Sequence, residues 1–157
     1  MKVFLKLLSA VVLIAIIGIV VFAILGHQLP TTAEMDEFFA EHRSAFERKN
    51  TQLLAQMSQG QAIDRGANAD VGYLWMTVRP SPDGYKKGMP IQVLYYTHRL
   101  GIGVGSFGTG IAFSEPGIID TTYPSIEAMV NDAKQVEGFV GFSPIEGNWY
   151  YFLWEAD

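Results

Sequence analysis

The stretch GIGVGSFGTG, residues 101–110, decides how this chain folds. Five of its ten residues are glycine, and it holds a literal G-x-G-x-x-G at Gly103, Gly105 and Gly108. A dinucleotide-binding loop would need a strand before it, a helix opening on the last glycine and a second, parallel strand. Only seven residues separate Gly108 from Pro116, too few for a crossover helix, and Ile111-Ala112-Phe113 reads as strand. No Gly-Lys-Ser/Thr follows, so a Walker loop is absent as well. The alternation is the better clue. Gly101, Gly103 and Gly105 fall on one strand face and Ile102 and Val104 on the other. The expectation is a glycine-rich strand with a bulge or turn near Ser106–Gly108, continuing to Phe113. A bare face lets something large come close, and the stripe of Phe38, Phe39 and Phe46 is a fitting candidate. No nucleotide is expected.

Outward from this stretch the period is two. Tyr73 to Val78 reads as a strand stopped by Arg79-Pro80, and Ile91 to Leu100 as its hairpin partner. The connection, residues 80–90, contains PSPDG turn chemistry and an exposed Tyr85-Lys86-Lys87. A basic tip on an acidic domain is a candidate partner contact; a solvated hairpin tip is the plainer reading. After the turn Ser114-Glu115-Pro116-Gly117, Pro124-Ser125 opens a short helix with Ile126, Met129, Val130 and Ala133 on one face, ending near Gly138. Phe139 to Phe142 is a strand, Ile145-Glu146-Gly147-Asn148 a tight turn, and Trp149 to Trp154 the last strand. Both faces of that last strand are apolar, which predicts an interior position covered on both sides. An exposed aromatic binding strip is the alternative.

Upstream, Thr31 and Glu34 form a capping box, with Glu34, Asp36 and Glu37 in the first turn. Met35, Phe38, Phe39, His42, Phe46, Leu53, Leu54 and Met57 then recur at helical spacing for about 26 residues, ending near Gly60. The order predicts an α+β domain: an antiparallel sheet with a long and a short helix packed on one face.

From Leu7 to Leu25 no residue is charged. Nineteen residues at ~1.5 Å each span roughly 28 Å, close to the hydrocarbon thickness of a bilayer. Lys2 and Lys6 precede the run and no Lys or Arg follows until Arg43, which puts the N-terminus inside and the remainder outside. The length favours an uncleaved anchor; a signal peptide cut after Val21-Phe22-Ala23 is the rival, and both export the rest. The division is residues 1–29 as inner-membrane anchor and residues 30–157 as periplasmic domain.

The net charge is −5. All sixteen acids and nine of the eleven bases lie after residue 30, leaving that portion at −7. Such a domain is repelled by phosphate backbones, so nucleic acid is not an expected partner. With no cysteine there is no thiolate chemistry. His27, His42 and His98 are not at metal spacing, and neither a metal nor a cofactor is expected. Ser106 misses the G-x-S-x-G pattern because Val104 stands at its first glycine. His98, Ser106 and the acids Glu115 and Asp120 are the residues an unrecognised hydrolase would use, but their spacing does not support one. The chain does not read as an enzyme.

The helix from Met35 to Phe46, continuing to Leu53-Leu54-Ala55-Gln56-Met57, and the ending Ile145 to Phe152 resemble a loose group of small envelope proteins of Gram-negative bacteria. Those carry an anchor, a helix of F-x-x-H/N-x-x-x-F-x-x-L type and a final G-x-W-Y-hydrophobic strand. The resemblance implies no catalytic residues. The expectation is a membrane-tethered, periplasmic protein-binding module, of which an immunity protein against an envelope-directed toxin is one form. The alternative is an accessory or structural subunit of an envelope complex.

Overall fold

A computed structural model describes residues 29–80, 86, 89–100, 107–136 and 138–155. The predicted anchor at 7–25 lies outside them, as do Gly101, Gly103, Gly105 and Ser106. Among the described residues no helix is long and apolar enough to cross a membrane.

The long helix α1 runs Thr32–Ser58. Its start is the expected capping box: the Thr31 hydroxyl accepts from the Glu34 N–H, and the Glu34 carboxylate accepts from the Thr31 N–H at 2.8 Å. Five strands and a second helix follow: β1 Trp75–Arg79, β2 Gln92–Leu100, β3 Phe107–Ser114, α2 Ile126–Ala133, β4 Val140–Glu146 and β5 Trp149–Glu155. The strands form one sheet of order β1-β2-β3-β5-β4, every pair antiparallel. β5 is therefore interior, as its doubly apolar sequence requires. β1 and β4 are the edges, and Pro144, which has no N–H to offer, is accommodated on one of them.

The main core lies between the helices and one face of the sheet. Met35, Phe39, Phe46, Leu53 and Met57 of α1 and Ile126, Met129 and Ala133 of α2 meet Val93, Tyr95, Ile111, Trp149, Tyr151 and Leu153. Polar links fix this packing. The buried Tyr95 hydroxyl donates to Asn50 of α1 at 3.4 Å, and the Tyr151 hydroxyl donates to Asp36. Arg43 binds Glu47 and, at 2.7 Å, Glu146 at the end of β4.

The N-termini of the two helices are interlocked. The Thr32 N–H and hydroxyl both donate to the Glu127 carboxylate, at 2.9 and 2.7 Å, and the same hydroxyl accepts from the Ile126 N–H at 3.0 Å. These bonds hold the Glu127 carboxyl at a pKa of about 2.

One sequence expectation is revised and a second falls outside the described residues. The first strand begins at Trp75 rather than Tyr73. The Asn68 side chain accepts from the Asp70 and Val71 N–H groups, and Gly72 at φ +81° bends the chain so that Tyr73 only bridges back to Asn68. The second concerns the glycines. Leu100 of β2 pairs with Phe107 of β3, and the predicted row at 101–105 lies outside the described residues. Among the described residues, Gly72 meets the α1 stripe: a Cβ there would stand 2.9 Å from the Phe38 ring.

Candidate binding face

The sheet has a second face, and the glycines Gly108 and Gly110 open onto it. Tyr96 and Phe152 flank Gly110 in register, and Trp154 pairs with Gly108. With no side chain between them, the Tyr96 and Phe152 rings meet edge to face at 4.8 Å. Trp75 stacks on Tyr96 at 4.5 Å, and Phe142 and Tyr150 extend the cluster across β4 and β5. Every residue of this cluster is a strand residue, whereas both helices contribute to the core on the opposite side.

A bulge sets the two faces. Pairing runs regularly to Tyr96–Gly110 and then skips Thr97, so that His98 rather than Thr97 opposes Thr109. Before it, odd-numbered residues of β2 face the helices; beyond it the alternation is inverted at His98. His98 is thus carried to the helix side. Its ring lies 6.4 Å from that of Phe38, beside a cleft of about 450 Å³ that Pro30 and Glu34 also line. Burial lowers the His98 pKa while the Glu34 charge opposes the shift. His42 stacks on Phe38 at 4.5 Å and holds the Phe38 carbonyl through Nδ1.

The other residues named from sequence are dispersed. Glu115 sits beyond the far end of β3 from Thr109, at roughly 20 Å along the strand. There its carboxylate accepts from the Ile91 N–H at 2.8 Å. Asp120 is exposed in the connection that follows. Neither acid is brought to His98, and Ser106 is outside the described residues. Among the described residues no three His, Asp or Glu side chains gather as metal ligands would. Of the basic tip, Lys86 is exposed and its carbonyl accepts from the Met89 N–H at 2.9 Å; Tyr85 and Lys87 are outside the described residues.

At one corner of the second face is a groove of about 320 Å³ between the two ends of the β1–β2 connection and Ile118. Pro80, Pro90 and Phe142 supply apolar walls, and Arg79 and Gln92 the polar groups. Arg79 and Gln92 are register partners on the two strands, so the pleat puts both on this face. The sequence reading missed both. The available signal was a glutamine interrupting an apolar strand, with a proline close by at each strand end, Pro80 and Pro90.

The architecture is that of an α+β protein with one helix-covered sheet face and one aromatic face. Comparison with protein-family models, with curated proteins and with solved structures finds no match.

Proposed function

We propose that this chain is a membrane-tethered, periplasmic protein-binding module that holds its partner on the second face of the sheet. The observation that carries the reading is the aromatic cluster built of strand residues alone. Tyr96 and Phe152 are buried at its centre and Trp75, Tyr150 and Trp154 are half-buried around them; half-buried Tyr and Trp rings suit recognition, since they bury large area with little loss of side-chain freedom.

The sheet edges support recognition through the face rather than by strand addition. On β1 the Met76 N–H is already taken by the Arg65 carbonyl, and on β4 the Phe142 carbonyl is taken by the Tyr123 N–H. The tether rests on the uncharged run from Leu7 to Leu25 and the bias of Lys2 and Lys6. The resemblance of α1 and the last hairpin to small envelope proteins points the same way.

The test is affinity purification through a C-terminal tag from membranes solubilised in mild detergent. One stoichiometric partner is the expected result. A secreted toxin among the partners would make this an inhibitor, and a resident assembly would make it a subunit. Folded protein that purifies alone would overturn the binding reading.

A further inference from the structure

Resting on that reading, the geometry points to the Arg79–Gln92 groove as a docking site for an extended peptide segment of the partner that carries a carboxylate beside an apolar side chain. Three observations converge.

Gln92 is 3% exposed, yet its side-chain amide makes no hydrogen bond to the described residues. Among them, the one fully buried side-chain polar atom without a partner is Glu155 Oε2. The Gln92 amide therefore reaches the surface, and the surface it lines is the groove. A primary amide offers both a donor and an acceptor, the complement of a peptide unit.

Arg79, exposed at the groove, forms none of the ion pairs found among the described residues. Its charge acts on Tyr96 of the aromatic face, opposing the upward shift that burial gives that phenol. A free guanidinium is a fork matched to a carboxylate. Lys86 adds a second exposed cation within four residues of Pro90. Of the neighbouring acids, Glu115 is engaged by the Ile91 N–H, and Asp120 is exposed in the connection beyond Ile118. In a domain at −7 the exposed Arg79 gives this corner a positive group for a carboxylate to meet.

Pro80, Pro90, Ile118 and Phe142 leave an apolar recess between the polar groups. Phe142 also belongs to the aromatic cluster, so a chain entering the groove continues onto the sheet face. The volume suits one or two side chains of such a segment.

The experiment is selection of a displayed random-decapeptide library on the full chain in lipid nanodiscs, alongside Arg79→Gln and Arg79→Lys. Arg79 is exposed, so neither variant threatens the fold. Expected is enrichment of peptides pairing Asp or Glu with aromatic or aliphatic residues. Arg79→Gln should weaken the selected peptides by about tenfold or more and Arg79→Lys by less. No enrichment, enrichment of neutral or basic peptides, or equal binding to Arg79→Gln would overturn the site. The affinity purification separates the two levels. A partner that co-purifies equally with Arg79→Gln leaves the module reading standing and removes the groove. Absence of any partner removes the module reading itself.

Discussion

Gly110 is the residue on which the sheet most depends. A Cβ there would lie 1.9 Å from the Tyr95 carbonyl oxygen and 2.9 Å from the Thr97 nitrogen, and backbone at a bulge has nowhere to retreat. Gly110→Ala should cost about 3 kcal/mol or more of stability, measured by urea unfolding of the full chain in mild detergent. Gly147 is a useful contrast. It sits at φ +54° with open space around it, so Gly147→Ala should cost only about 1 kcal/mol, from conformation alone. Equal effects would mean that the close approach at Gly110 relaxes freely. That a glycine in this stretch is needed was legible in the sequence. Which glycines, and on which face, was not, because Gly108 and Gly110 lie in β3 and their facing follows from its pairing with β2 and β5, which no local pattern announces.

At the scale of elements, the interlocked helix starts make a testable joint. Glu127 has a pKa near 2 when folded, against about 4.3 when unfolded. A lowered folded pKa contributes stability that is fully present above about pH 4.3 and is lost as the pH falls towards 2. Glu127→Gln should therefore destabilise the protein at pH 6 and make little difference near pH 2, as read from urea midpoints at the two values. A penalty that persists undiminished at pH 2 would assign Glu127 a packing role instead. Thr32→Val removes the hydroxyl that serves both helices and should cost about 1–2 kcal/mol. The elements themselves were largely readable. The capping box located α1 to within a residue or two, and the doubly apolar run located β5 in the interior. Ends were harder. β4 runs on to Glu146, past the strand read at Phe139 to Phe142 and into the turn read at Ile145 to Asn148, because an edge strand tolerates the missing N–H of Pro144. The link between Thr32 and Glu127, 95 residues apart, has no local signature.

At the scale of the whole molecule, the account joins a tether to a face. We expect the full chain to stay in the membrane pellet through alkaline carbonate extraction, with its C-terminal tag open to protease once the outer membrane is permeabilised. Release by carbonate would remove the anchor. The groove residues show the limit of reading function from one sequence. Arg79 and Gln92 are thirteen positions apart and become neighbours only through strand register, while Ile118 and Phe142 arrive from other elements. The basic tip at Tyr85, Lys86 and Lys87 drew notice because its charges are adjacent in sequence, which is the kind of pattern a linear reading favours. The central claim is that partners meet the aromatic sheet face and not the helices. The most direct measurement places a photo-crosslinking phenylalanine analogue at Tyr150, on that face, or at Glu41, exposed on α1, and irradiates living cells. The account predicts one discrete adduct from position 150 and none from position 41. An adduct from position 41 with none from 150 would contradict it.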